Sequence, residues 1–319
     1  MSYLPLADIS INLTTIFTIG LMVGILGGVF GTLANLLVVP VLSIFGLPLP
    51  ISAGANVGQS FGRTSLSIFT VGPDPLAFRR VGIVSGIIGL PGVFLGVKLN
   101  LLLMGTGTGN TVIYLCYIAL LLSAAVVIFR QWHYFNRNDY YDDAPFPPFG
   151  LNWRFPLAIP GEAGMKHITL VRISLAGLLL GAATGFLGLG AGVLGIPLFM
   201  YILGLPAQSA AATDTVAMLV IGSGTIFGYA SAGRVELMVV LALLAAVTLG
   251  NRIGSVLPGE LNLGHARLAF SLLLAITALS VAVGLNSVFF SHVIMSVSGL
   301  GFCLAVVIFS LIQAHVMPN

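Results

Sequence analysis

Two halves of this chain carry the same pattern of glycines and prolines. Gly24, Gly28, Gly31 and Pro40 recur 157 residues on, as Gly181, Gly185, Gly188 and Pro197. Pro48, Asn56, Ser65, Phe69, Gly92 and Gly96 recur 158 residues on, as Pro206, Asp214, Ser223, Phe227, Gly250 and Gly254, with one residue inserted near Gly204. Repetition on this scale points to two fused halves of one domain, not to two separate domains. Composition places that domain in a membrane. The 319 residues are 58% hydrophobic and only 7% charged, with mean hydropathy +1.10, whereas a soluble domain carries roughly 25% charged residues to cover its surface. A duplicated, glycine-interrupted half inside a bilayer is a plan used by many transporters, and the interruptions tend to mark the binding site.

Other classes fall away on the same evidence. A formal charge of +3, with no basic run and no aromatic–basic interleaving, gives no footing for nucleic acid. Cys116 and Cys303 both lie in apolar runs and read as small core residues, not as a disulfide or metal framework. There is no phosphate loop, no His-Glu-x-x-His, no Gly-x-Ser-x-Gly elbow, and the five histidines do not cluster with acids. The chain is expected not to be an enzyme and to use no cofactor and no metal. The first ten residues contain Asp8 and no Lys or Arg, so the first apolar run is expected to be a retained span and not a cleaved signal.

Eleven apolar segments can be drawn, near residues 11–30, 34–47, 51–71, 81–103, 111–129, 168–187, 191–203, 207–230, 235–255, 266–285 and 289–312. A spanning helix needs about 20 apolar residues, and the second and seventh segments fall short of that. Each follows a glycine cluster and contains a proline, so each is expected to be a half-helix entered through a break in the backbone. The expected fold is an all-α polytopic membrane protein. Its parts are a first repeat (1–129), an interfacial linker (130–167), a second repeat (168–287) and a C-terminal helix (288–319). The linker holds the Pro145-Phe146-Pro147-Pro148 run and aromatic anchors such as Trp132, Tyr141 and Trp153. With the linker cytoplasmic and every segment counted as a crossing, the N-terminus lies outside. Arg79, Arg80, Arg252 and Arg267 then fall inside, as the positive-inside rule prefers; only Arg234 falls on the wrong side. Each half then has five crossings and the repeats are inverted. If the short segments re-enter instead, the repeats are parallel and Arg79 and Arg80 fall outside.

Candidate binding groups follow from where polar chemistry sits at membrane depth. Gly28, Gly31 and Asn35 lie at the first break; Gly188 and Gly190 lie at the second. A half-helix N-terminus carries unpaired N–H donors and about half a positive charge, which suits an anion. The competing reading is close helix approach, since Gly24/Gly28, Gly177/Gly181/Gly185, Gly92/Gly96 and Gly250/Gly254 are spaced four apart. The third segment carries Asn56, Gln59, Ser60 and Arg63 at helical spacing, and the eighth carries Thr213, Asp214 and Thr215. Arg63 and Asp214 are the only charges expected well inside spans, where a charge costs about 3 kcal/mol even on insertion scales. They either pair as a structural ion bridge, or act separately. In the second case Arg63 anchors an anion through its bidentate guanidinium and Asp214 couples transport to protons.

These residues also carry a resemblance. The stretch Gly181 to Pro206, then Ala211-Ala212-Thr213-Asp214-Thr215, Gly228-Tyr229-Ala230-Ser231-Ala232-Gly233-Arg234-Val235 and Gly250-Asn251-Arg252-Ile253-Gly254, resembles the TauE/SafE family of sulfite exporters and related organosulfonate permeases. The first half matches through Gly24 to Pro48 and Arg80-Val81-Gly82, but has Thr32 where the family often continues with glycine, and Asn56 where the second half has Asp214. The resemblance implies an inner-membrane permease, bacterial or archaeal, for small sulfur-containing anions such as sulfite, sulfoacetate or related organosulfonates. The expected mechanism is alternating access around a midplane site at the repeat interface. The expected partners are the anion, the lipid bilayer and a coupling proton; an oligomer is compatible with the sequence. Two alternatives stay open: an anion channel on the same fold, and a non-transporting membrane component of a larger assembly.

Overall fold

The computed structural model describes residues 2–4, 9–67, 76–106, 109–135, 158–159, 168–256, 263–285 and 294. Its helices are α1 (Leu13–Phe30), α2 (Val38–Ile44), α3 (Leu49–Ser67), α4 (Leu76–Met104), α5 (Gly109–Phe135), α6 (Leu170–Leu187), α7 (Gly195–Leu198), α8 (Ala207–Ser231), α9 (Leu237–Val256) and α10 (Leu263–Gly284). Among the described residues the regular structure is helical apart from two small antiparallel ladders, β1 (Ser2–Leu4) with β2 (Ile9–Ile11) and β3 (Ala158–Ile159) with β4 (Ile168–Thr169). Six helical stretches among the described residues are long and apolar enough to cross a membrane. Helix α3 is not one of them, because Asn56, Gln59, Ser60 and Arg63 lower its hydropathy. Yet every residue from Leu49 to Ser60 is buried, so Asn56, Gln59 and Ser60 face protein on all sides, while Arg63 is half-buried. Most of the expected linker (136–157 and 160–167) and the expected C-terminal helix from 288 on, Ile294 apart, lie outside the described residues.

Two compact units divide the chain, and each draws on both halves of the sequence. The first comprises residues 1–52, 103–141 and 237–319; the second comprises 53–102 and 142–236. In the first unit α1 packs against α9, and α5 against α10. The α1–α9 seam is built of glycine. A Cβ on Gly24 would lie 2.5 Å from the Val247 carbonyl oxygen, and one on Gly28 would lie 2.5 Å from the Gly254 carbonyl carbon. The order Gly20–Ala246, Gly24–Gly250, Gly28–Gly254 makes the two helices parallel. Phe30 stacks on Phe270 at the end of this seam, with ring centroids 4.2 Å apart.

The second unit repeats that crossing. Helix α6 is the counterpart of α1, and α4 of α9. They too run parallel in backbone contact, with Gly177 on Ser85, Gly181 on Gly89 and Gly185 on Val93. The four-residue glycine spacing is therefore helix packing, and Gly28 sits in a seam covered by α9, not at an open break. Helix α8 lies parallel to α4 as well, with Gly82 on Thr213, Gly86 on Val220 and Gly228 on Val97. Helix α3 runs the other way, since Gly54 abuts the Arg234 carbonyl just beyond α8 and Phe61 faces Gly222 in its middle. The repeat-related helices α3 and α8 thus pack antiparallel within one unit.

The two breaks share their turning glycines but differ in form. Gly31 and Gly188 have φ of 73° and 63°, and Gly46 and Gly204 have 99° and 74°. These are left-handed values that glycine adopts without a Cβ clash. The first break is not an open loop: Gly31–Leu37 coils as a 3-10 helix and runs straight into α2. That coil rises about 2 Å per residue against 1.5 Å in an α-helix, so the 14 residues of Gly31–Ile44 reach about 24 Å. The second break does open. Residues 188–194 form an irregular loop, α7 has one turn, and Phe199–Leu203 forms a π turn two residues after Pro197, which lacks an N–H for a regular ladder. The loop starts beside the end of α8, where Tyr229 bonds Gly185, and Gly192 and Gly195 meet Asp214 near the start of α8. Tyr229 and Asp214 are about 22 Å apart along a helix. The second short segment therefore descends alongside α8 to where that helix begins, traversing the unit.

Candidate functional site

The last turn of α6 ends inside protein, where unpaired carbonyls are costly. Three side chains from three other helices satisfy them. Tyr229 of α8 donates its hydroxyl to the Gly185 carbonyl oxygen at 2.9 Å, and Asn100 of α4 donates Nδ2 to Phe186 at 2.6 Å. Asn56 of α3 donates Nδ2 to Gly188 at 2.9 Å. Glycine is required at 188 for a second reason: a Cβ there would lie 2.6 Å from the Ala53 Cα. This collar holds the α6 terminus and presents the buried loop that follows, with Gly188, Gly190, Gly192 and Gly195 all inaccessible to solvent.

The collar also orients the amides behind it. A carbonyl only accepts, so Asn56 must turn its Nδ2 toward Gly188 and its Oδ1 toward Gln59. Gln59 Nε2 then donates to Asn56 Oδ1 at 3.0 Å and to Ser60 Oγ at 3.1 Å. Gln59 Oε1 is left buried with no partner among the described residues. The free end of this chain of amides is an acceptor.

Asp214 approaches the same loop from α8. Its carboxylate accepts from the Gly192 backbone N–H and fills the space where a Gly195 side chain would lie, while Oδ1 has no hydrogen-bond partner among the described residues. Thr184 Oγ1, one turn before Gly188, is likewise buried without a partner. Asn100 Oδ1 is also buried with no partner among the described residues; native proteins keep few such groups, so four around one loop single it out. Thr213 and Thr215 flank Asp214, but their hydroxyls donate to the Ser209 and Ala211 carbonyls one turn back on α8.

Arg63 lies one turn beyond Gln59 on α3 and is half-buried. Neither an ion pair nor a hydrogen bond to it is found among the described residues, so the ion bridge between Arg63 and Asp214 is not formed. The second unit thus gathers Asn56, Gln59, Ser60, Arg63, Gly188, Gly190, Thr213, Asp214 and Thr215. Gly28, Gly31 and Asn35 belong to the first unit, where Asn35 is buried within the 3-10 coil. Sequence reasoning missed Asn100 and Tyr229 as supports of the break. The signal for Asn100 was present, as a lone amide among the apolar residues that end α4.

The family model for sulfite exporter TauE/SafE matches residues 16–281, from the first turn of α1 to near the end of α10. No curated protein and no solved structure matches the chain. With six apolar stretches able to cross a bilayer and a family match over most of its length, the chain is a multi-pass membrane protein and belongs to the sulfite exporter TauE/SafE family of transporters.

Proposed function

We propose that this protein carries small sulfur-containing anions, such as sulfite, sulfoacetate or related organosulfonates, across the inner membrane by alternating access. The carrying observation is Arg63, a guanidinium on a buried polar helix with no acidic partner among the described residues. A cation at that depth calls for an anion, and a planar guanidinium suits two oxygens of a sulfite or sulfonate group. The site lies where α3 of one repeat meets the α6–α7 loop and α8 of the other. Gln59 and Ser60 shape it, and the backbone at Gly188 and Gly190 borders it. Thr213 and Thr215 contribute hydroxyl oxygens. Asp214 is the proton-coupling group. Asn35 and Gly31 serve the equivalent break of the first repeat, with Gly28 holding its helix.

The antiparallel packing of α3 and α8 supports inverted repeats, and the descent of residues 188–206 along α8 supports counting that segment as a crossing. On that count the N-terminus lies outside and the linker is cytoplasmic, which puts the exposed Arg79 and Arg80 on the cytoplasmic side. The test is Arg63→Gln with sulfite binding measured in detergent by thermal shift and calorimetry. Affinity should fall at least tenfold, about 1.4 kcal/mol; unchanged affinity for every sulfur anion tested would remove Arg63 from the site.

A further inference from the structure

Lys98 is the only Asp, Glu, Lys or Arg between Arg80 and Arg130. It stands on an outward face of α4 whose other members are apolar and open: Leu95 is 67% exposed, Leu102 61% and Phe94 48%. That is the kind of face a bilayer covers, and a lone cation there is unfavourable unless it reaches the headgroup layer or meets an anion. The ammonium has no ion pair among the described residues. It lies less than two turns before the end of α4 at Met104, about 9 Å along the axis, which is within snorkelling reach of an interface.

Beside it lies a groove. Phe94, Val97, Leu101 and Leu102 form its α4 wall, Gly228 and Ser231 its α8 wall, and its volume is about 430 Å³. Gly228 lets Val97 pack closely on α8 at the floor of this groove, since a Cβ there would lie 3.2 Å from Val97 Cγ2. The hydroxyl of Ser231 already donates to the Gly228 carbonyl at 2.9 Å, so Lys98 is the one polar lining group with protons to offer. An apolar trough at membrane depth, with one cation on its rim near the end of the span, matches the two parts of an acidic phospholipid.

We propose that this groove is a binding site for an anionic phospholipid, with the phosphate on Lys98 and an acyl chain lying over Leu101, Leu102 and Phe94. It is separate from the buried loop that Asn56 and Asp214 meet, and it does not depend on which anion is carried. A single lysine near an anionic surface contributes about 1 kcal/mol, or about fivefold in affinity.

The test is native mass spectrometry of the full chain in detergent, titrated with phosphatidylglycerol or phosphatidylcholine. The unaltered protein should retain phosphatidylglycerol about fivefold better. Lys98→Gln should erase that preference and Lys98→Arg should keep it. Leu102→Trp, which fills the trough, should weaken both lipids while leaving the thermal unfolding temperature in place. The proposal is overturned by an equal preference in Lys98→Gln, by no preference in the unaltered protein, or by lipid binding that Leu102→Trp leaves intact. Displacement of phosphatidylglycerol by millimolar glycerol phosphate would also overturn it, since the ligand would then be a free phosphate.

Discussion

The Asn56 side-chain amide donates to the Gly188 carbonyl oxygen at 2.9 Å, joining α3 of the first repeat to the break that ends α6 in the second. Its repeat counterpart Asp214 meets the same loop four residues on, accepting from the Gly192 N–H. One duplicated position therefore supplies both a donor and an acceptor to a single loop. The two chemistries cannot be exchanged, because a carbonyl at 188 needs a donor and an N–H at 192 needs an acceptor.

Replacing Asn56 should destabilise the break before it alters the ligand site. Asn56→Ala leaves the Gly188 carbonyl without its donor and takes one of two acceptors from Gln59 Nε2, which keeps Ser60 Oγ, at about 1–3 kcal/mol. Asn56→Asp should be at least as damaging, since a carboxylate cannot donate to Gly188. Thermal unfolding in detergent reads both; an unaltered unfolding temperature in Asn56→Asp would contradict the assigned amide orientation.

The two glycine seams should tolerate nothing larger. A Cβ at Gly250 meets backbone of α1, including the Ile25 nitrogen at 2.8 Å, and one at Gly181 meets backbone of α4. Gly250→Val and Gly181→Val should each abolish the monodisperse peak in size-exclusion chromatography. Gly46→Ala, with nothing within 4 Å of the added carbon, should cost only the backbone strain an alanine takes on at a positive φ, about 1–2 kcal/mol.

Arg63→Lys should bind sulfite more weakly than the unaltered protein but better than Arg63→Gln. Lysine keeps the charge and loses the bidentate fork. Equilibrium binding at fixed ionic strength ranks the three; equal affinity of the lysine and glutamine variants would show that charge at this position does not hold the anion.

Asp214→Asn should separate binding from coupling. Asparagine keeps an oxygen for the Gly192 N–H and removes the titrating proton. In proteoliposomes, substrate exchange should continue while uptake driven by a pH gradient is lost. Gradient-driven uptake that survives the substitution would move coupling elsewhere.

Much of the fold was legible along the chain. Spaced glycines announced close helix approach, and the clusters at Gly31 and Gly188 announced breaks; the positive φ at Gly46 and Gly204 came only from the structure. The polarity of α3 announced an interior helix. The Arg63–Asp214 bridge was a fair expectation from two isolated charges and is absent, because Asp214 turns toward Gly192 and Gly195. The threonines beside it looked like site donors, but each returns its hydroxyl to its own helix, the nearest free carbonyl. Asn100 carried a signal only as a lone amide among apolar residues; its partner, like that of Tyr229, is a backbone carbonyl, 86 and 44 residues distant respectively, which carries no residue-type signal.

The sequence by itself determined that this chain lives in a membrane, that its two halves carry one glycine and proline pattern, and where its helices break. Those properties depend on transfer of apolar surface and on local backbone sterics, which each short segment carries alone. Only the tertiary structure decided that α1 pairs with α9 and α6 with α4, so that each compact unit is assembled from both repeats. It also decided that the second break opens into a loop while the first coils shut. Those outcomes depend on which backbone surfaces fit against each other and which distant side chains reach an unpaired carbonyl, and equal glycine spacing in four helices cannot distinguish the pairings.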